Sequence, residues 1–254
     1  MELNNKTIIV IGAAGRLGRE IVSEVLKGGA NVVAVDCNEK SLRCIKEEYG
    51  NNKLVIMEGD IADVFSIQAI IAVALERFGS VDGAVNTAYP RNSSYGSKFF
   101  DVTYENFCEN VSLHLGGYFL FMQQCAKYSV ESQKEFSLVN MSSIYGVMPP
   151  RFDVYANTEM TMPVEYAAIK SALQHLVGYV TAFTKGSRFR VNCVSPGGIL
   201  AGQDNAFLDR YNSYCRGKGM LDSSDIVGAV TFLLSEHSKY ICGQNLVVDD
   251  AFSF

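Results

Sequence analysis

The segment "KTIIVIGAAGRLGRE" restricts what this chain can fold into more than any other part of it. A β-branched apolar run reads as a strand. Gly12, Gly15 and Gly18 follow at G-x-x-G-x-x-G spacing, and a helical period opens directly after them. Glycines here permit a tight turn and let backbone N–H groups approach a pyrophosphate, which the helix N-terminus stabilises. A glycine-rich turn without a ligand is the plain alternative, but the strand–turn–helix context favours nucleotide binding. Arg16 lies in this loop. It can contact the pyrophosphate or a 2′-phosphate, or simply stand in solvent as a first-turn residue.

The same alternation continues down the chain. "NVVAVD", "KLVIMEGD", "VDGAVN", "FSLVNMS", "RFRVNCVSP" and "NLVVDD" read as strands. Helical periods lie between them, at about 16–28, 39–49, 63–78, 104–129, 164–185 and 223–235. Strands that are apolar throughout are buried on both faces, and this spacing means parallel βαβ units. With right-handed crossovers the expected fold class is α/β: a single doubly wound Rossmann-type domain over 1–254, with a mostly parallel seven-stranded sheet and helices on both faces. Residues 1–100 are expected mainly to bind the dinucleotide, and 101–254 to form the catalytic and substrate-binding part. Two stretches, about 143–163 and about 196–220, fit no element. Both follow strands, so both belong at the carboxyl edge of the sheet, where such folds bind ligands.

Composition narrows the function. Of 254 residues, 48% are hydrophobic, enough for a full core. The net charge of -5 argues against a nucleic-acid partner, which needs a basic face. The longest apolar runs fall short of the ~20 residues of a membrane span. The N-terminus lacks a basic region followed by an apolar run and a cleavage site, so no signal peptide is expected. Seven scattered cysteines without a C-x-x-C suit reduced thiols in a cytoplasmic protein, with neither a metal site nor a disulfide framework.

Asp36 ends the second strand, 18 residues after Gly18. An acid there bonds the adenosine ribose hydroxyls and repels a 2′-phosphate, which favours NAD(H); Arg16 keeps NADP(H) open. Asp60, after the third strand, can accept from the adenine amino group or can be a helix N-cap. Further on, Tyr166 and Lys170 stand at i and i+4, on one face at the start of a helix. A free tyrosine, with a pKa near ~10, is a poor base at neutral pH. A nearby ammonium and a positive nicotinamide ring favour the phenolate, which can exchange a proton with an alcohol or carbonyl as hydride moves. An isolated Y-x-x-x-K usually marks a surface contact. This one follows a nucleotide-binding half and a strand ending in Ser142–Ser143.

On these features the chain resembles the short-chain dehydrogenase/reductase superfamily over nearly its whole length. Glycine loop, strand-two acid, the "VNTAY" turn with Asn86 and Ala88, the serine in "VNMSSIYG", Y-x-x-x-K and the "NCVSPGGI" turn with Pro196, Gly197 and Ile199 occur in the family's order. The resemblance implies that Ser143 bonds the substrate oxygen, that Tyr166 transfers the proton, and that Lys170 holds the nicotinamide ribose and lowers the tyrosine's pKa. It also puts Leu17 and Ile61 on the cofactor and implies a homodimer or homotetramer built on the two long helices and the C-terminal strand. Members usually place the tyrosine about a dozen residues after the serine. That spacing lands on Tyr155, whose i+4 neighbour is Glu159, so Tyr155 is read as a decoy and about ten residues as inserted. The polar insertion "PPRFDVYANTEMTMP" suits a hydroxyl-rich substrate, or is a surface loop or subunit contact.

The family's fourth catalytic residue, an asparagine that holds a water for proton relay, aligns with His114. A histidine can hold water and titrates near neutrality; alternatively it packs under the site and Asn110 contributes. "MSSIYGVMPP", "MTMPVEYAAIKSAL" and "YCRGKGMLDSSDIVGAVTFLLS" look closest to the bacterial flagellin-modification (PtmA-like) oxidoreductases. That likeness implies an alcohol/carbonyl oxidoreductase acting on a sugar or sugar-phosphate precursor of a nonulosonate. A 3-oxoacyl-thioester reductase and a non-catalytic NAD(H)-binding regulator are the alternatives.

Overall fold

Seven strands form one sheet in a computed structural model that describes residues 3–254. They are β1 (Thr7–Ile11), β2 (Asn31–Asp36), β3 (Leu54–Glu58), β4 (Gly83–Asn86), β5 (Phe136–Met141), β6 (Phe189–Pro196) and β7 (Asn245–Val248). Their order is β3-β2-β1-β4-β5-β6-β7, and every pair is parallel. Continuous apolar runs make this possible: β1, β4 and β5 are buried along their whole length, whereas edge strands β3 and β7 are partly exposed.

The helices are α1 (Arg16–Lys27), α2 (Glu39–Tyr49), α3 (Val64–Phe78), α4 (Tyr104–Asn110), α5 (Gly117–Ser132), α6 (Val164–Phe183), α7 (Asn205–Asn212) and α8 (Ser223–Leu234). Successive residues of β1 face opposite layers. Ile8 and Val10 join Ile21, Val25, Val230 and Leu233 of α1 and α8. Ile9 and Ile11 join Ile67, Phe121, Leu173 and Val177 of α3, α5 and α6. Burial of each such side chain contributes about 1.5–3 kcal/mol, so both layers hold the sheet. The winding reverses between β1 and β4, and their diverging carboxyl ends open the crevice in which doubly wound folds bind ligands.

Three details differ from the sequence reading. The helix expected over 104–129 is interrupted by a π-helical turn, Val111–Gly116, and runs on to Ser132. Such turns are rare and concentrate at functional sites; this one carries His114. The stretch expected to be irregular at 196–220 contains α7. Asp204 caps it by accepting from Phe207 N, and Phe207 and Tyr211 bury one face. Two turns rich in weak helix formers give too short a period to be seen in the sequence. The 143–163 stretch holds two 3-10 turns, Ile144–Gly146 and Phe152–Tyr155.

Candidate active site

The glycine turn is pressed against the end of β4. Gly12 has φ +73, and a Cβ there would lie 2.7 Å from Thr87 Oγ1 and 2.9 Å from Ala88 N. No other residue fits that turn. Thr87 Oγ1 donates to Ile11 O at 2.7 Å, closing the contact from the other side. Asn86 is fully buried. Its Oδ1 accepts from Ala88 N at 3.1 Å, and its Nδ2 has no partner among the described residues. Asp36 accepts from Ala14 N at 3.0 Å and from Asn38 N at 3.1 Å, so one carboxylate ties the glycine turn to the end of β2.

Other residues expected near a cofactor have mixed positions. Gly15, Arg16, Leu17, Gly18, Ala88, Pro196, Gly197 and Ile199 line one cavity. The Arg16 guanidinium, exposed, donates to the carbonyl of Leu200, so it bridges the glycine turn to the 196–220 segment; it is not a free first-turn residue. Asp60 is exposed at the end of β3 and accepts from Ala62 N at 2.8 Å. It is not a helix cap: Asp63 caps α3 through Phe65 N and Ser66 N. Ile61 is buried against Gly117, where a side chain of its own would crowd it.

The opposite wall starts from α6. Pro163 stands just before its first turn, where a missing N–H costs nothing. Lys170, a turn after Tyr166, is buried. Its Nζ donates to Met141 O at 2.7 Å, lies 3.2 Å from His114 Nε2, and sits 5.5 Å from the centre of the Tyr166 ring. Burial pulls Lys170 down to about 7. His114 is fully buried in the π-helical turn; burial first, and Lys170 next, hold it down to about 2. It is therefore neutral at working pH, contrary to the expected titration near neutrality. With Nε2 accepting from Lys170, the proton stands on Nδ1, which has no partner among the described residues. Asn110 lies in a separate cluster, bonded to Asn92 and Glu165.

The two serines after β5 have diverged. Ser142 Oγ donates to Lys170 O at 3.1 Å and accepts from Gln174 Nε2 at 3.0 Å, so it fastens α6 to the sheet. Gly146 lets the following 3-10 turn lie flush on α6: a Cβ there would meet Lys170 O at 2.7 Å. Ser143 turns to the cavity. Its Oγ accepts from Tyr145 N at 3.2 Å and lies beside the half-buried Tyr166 phenol. Burial pushes that phenol above its ordinary value, and the Ser143 hydroxyl offsets part of the rise. The lowering expected from Lys170 is not seen; its ammonium is engaged by His114 and Met141 instead.

The cavity holds about 790 Å³, the size of a ligand pocket. Its far side is lined by Tyr89, Arg91, Tyr145, Tyr155, Met160, Met162 and Met220. The insertion thus offers Tyr155, Met160 and Met162 to the cavity, not the polar set expected to face substrate. Arg151 donates to the carbonyls of Phe252 and Phe254 and stacks on Tyr214, while Asp153 accepts from the Tyr214 hydroxyl. Its charges brace the end of the chain. The Tyr155 hydroxyl pairs with that of Tyr145 at 2.9 Å. Tyr89, Arg91 and the methionines were absent from the sequence reading. Tyr89 and Arg91 were signalled only by following the fourth strand at its carboxyl edge.

A cavity where a glycine turn meets Ser143, Tyr166 and Lys170 at a switch point suggests one family, and comparison decides it. A family model described as enoyl-(acyl carrier protein) reductase, of the short-chain dehydrogenase group, matches residues 12–253. The chain belongs to the short-chain dehydrogenase/reductase family. Post-translational flagellin modification protein A of Campylobacter coli is 38% identical over 252 residues, 98% of each chain. A 2,5-dichloro-2,5-cyclohexadiene-1,4-diol dehydrogenase of Sphingobium indicum is 27% identical over 259 residues, 99% of this chain and 98% of its own. A short-chain dehydrogenase from Leptospira borgpetersenii, solved with bound NAD+, is 31% identical with a TM-score of 0.88, covering 100% of this chain and 94% of its own.

The enzyme is accordingly an NAD(P)-dependent oxidoreductase. Its residues fit such a cofactor: the glycine turn opens on the cavity, and Asn86 keeps a buried amide donor unpartnered beside it. Among the described residues no helix is long and apolar enough to cross a membrane.

Proposed function

We propose that the enzyme interconverts an alcohol and a carbonyl, with NAD(H) preferred, on a sugar or sugar-phosphate precursor of a nonulosonate used in flagellin or surface-glycan modification. The single observation that carries the chemistry is the Ser143 hydroxyl beside the Tyr166 phenol, with Lys170 one turn on. The preference for NAD(H) rests on Asp36, whose charge at the end of β2 opposes a 2′-phosphate. The substrate class rests on the flagellin-modification relative.

The glycine turn, Asp36, Asn86, Lys170 and the Pro196–Ile199 turn would hold the dinucleotide, which supplies or accepts hydride when bound. Ser143 donates a hydrogen bond to the substrate oxygen and fixes it against Tyr166. In the reducing direction Tyr166 gives its phenolic proton to that oxygen; in the oxidising direction it takes the proton back. Burial keeps the phenol protonated, the form that donates. Lys170, drawn down to about 7, exchanges protons readily near neutrality, and neutral His114 accepts from it at Nε2. His114 thereby holds the Lys170 amine in place by a hydrogen bond, at the position where the family has an asparagine.

Exposed Phe119, Val130, Tyr179 and Phe183 on α5 and α6 support a homo-oligomer joined through these helices, and the seven unpaired cysteines support an enzyme acting in the cytoplasm. A second reading, reduction of a 3-oxoacyl thioester, is favoured by Met160, Met162 and Met220 in the wall. A panel of sugar phosphates and acyl thioesters with NADH and NADPH separates the two by absorbance. Turnover of thioesters alone would overturn the sugar assignment. Tyr166→Phe should abolish turnover and leave NADH binding nearly intact; undiminished turnover would refute the chemistry.

A further inference from the structure

Of the charged residues that line the cavity, Arg16, Arg91 and Lys170 are cations and none is an anion. Two of the three are engaged. Arg16 is bonded to Leu200 at the glycine turn, and Lys170 to Met141 and His114. Arg91 forms no hydrogen bond or ion pair among the described residues. Its guanidinium lies 4.9 Å from the centre of the Tyr89 ring, a cation–π stack that leaves its N–H donors open. Of the carboxylates bonded to its supporting loop, Glu109 accepts from Asn92 Nδ2, and Glu165 accepts from Asn110 Nδ2 through Oε1 while its buried Oε2 has no partner among the described residues.

The support under Arg91 is rigid on both sides. Asn92 N donates to Asn110 Oδ1 at 2.9 Å, and Asn110 Nδ2 returns a bond to Asn92 Oδ1 at 3.1 Å, locking the next residue to a buried asparagine. The Tyr89 hydroxyl bonds that of Tyr95 at 2.9 Å. The Tyr89 ring meets the Tyr166 ring edge-on at 5.6 Å between centres. The stacked guanidinium is thus within about 11 Å of the Tyr166 ring, a span one sugar ring with a pendant group can cover.

We propose that Arg91 is a specificity-determining residue that grips an oxyanion on the substrate, one sugar ring away from the carbon that reacts at Tyr166. This rests on the sugar reading above and narrows it to anionic sugars. A planar guanidinium with a free fork matches phosphate or carboxylate in two parallel bonds. The aromatic wall formed by Tyr89, Tyr145 and Tyr155 would receive the sugar's apolar face between them.

The test uses the intact enzyme saturated with NADH. Glucose 6-phosphate, glucose 1-phosphate, glucuronate and glucose are titrated calorimetrically into wild type, Arg91→Ala and Arg91→Lys. At least one anionic sugar should bind wild type roughly tenfold or more tightly than glucose. The two phosphates and the carboxylate tell which oxyanion is preferred. Arg91→Ala should lose this advantage, Arg91→Lys should keep part of it, and all three proteins should bind NADH alike. Equal affinity of wild type for glucose and all three anions overturns the proposal, as does a preference that survives in Arg91→Ala. NADH oxidation with a neutral keto-sugar and its phosphate is followed alongside. Equal turnover of both would overturn the arginine grip yet leave the sugar oxidoreductase reading intact.

Discussion

After β1 the site is set by backbone geometry: a glycine turn is pressed on Thr87 at the end of β4, and Asp36 at the end of β2 holds that turn through Ala14 N. At the ends of β5, β6 and β7 the cavity wall is mostly side chain. The insertion, α7 and the chain's last residues share a small apolar cluster that includes Tyr145, Val154, Phe207, Tyr211 and Phe252. Arg210 donates to the carbonyls of Val154 and Ala156, and Asp250 accepts from Gly217 N and Gly219 N. The glycine turn is fixed by local backbone geometry. The other side is held by contacts between distant segments and, like Tyr89 and Arg91 further along the loop after β4, can be rebuilt for a different substrate without disturbing that turn.

The comparison is sharpest at the paired serines, where the largest effect is expected. Ser143→Ala should lower turnover roughly 10²–10³-fold, because a donor aimed at the reacting oxygen is lost. Ser142→Ala should leave turnover within about threefold while costing about 1 kcal/mol in urea unfolding, because it only fastens α6. Equal catalytic losses would erase the division of labour between them. On the nucleotide side, Asp36→Asn should weaken NAD+ about tenfold and improve NADP+, seen by fluorescence titration. Unchanged selectivity would move cofactor choice elsewhere.

The buried histidine predicts a pH effect. Its folded-state pKa of about 2 lies below the ordinary 6.5, so the unfolded chain binds the extra proton between those values. Stability from His114 is complete above pH 6.5 and is lost as pH falls. Between pH 6.5 and 5 wild type should lose up to about 2 kcal/mol that His114→Asn does not lose. Parallel urea curves for both proteins would contradict this. The smallest effect belongs to the substrate side: Arg210→Ala should raise the substrate's KM roughly twofold to fivefold and leave NADH affinity unchanged. A matching loss in NADH affinity would show that the two sides are not separable.

The sheet was legible because continuous apolar strands alternate with helical periods, and the glycine turn because only glycine fits beside Thr87. The spacing from Tyr166 to Lys170 is local and could be read directly. What the sequence hid depends on contacts far apart along the chain. The direction in which Arg151 and Asp153 point is set by Tyr214 and the terminal carbonyls, about 60 to 100 residues away. The neutrality of His114 follows from its complete burial, which its one-letter code does not carry. Likewise α7 is made by the packing of Phe207 and Tyr211 more than by its own propensity.

Tyr166 is proposed to move the proton, kept neutral by burial until a positive nicotinamide ring stands beside it. Carbon-13 labelling of the tyrosine ring, with Tyr166→Phe to assign the signal, reads its ionisation directly. In the free enzyme the phenol should resist ionisation to above the ordinary tyrosine range, and it should titrate markedly lower once NAD+ is bound. A Tyr166 signal that titrates at the same pH with and without NAD+ would contradict it.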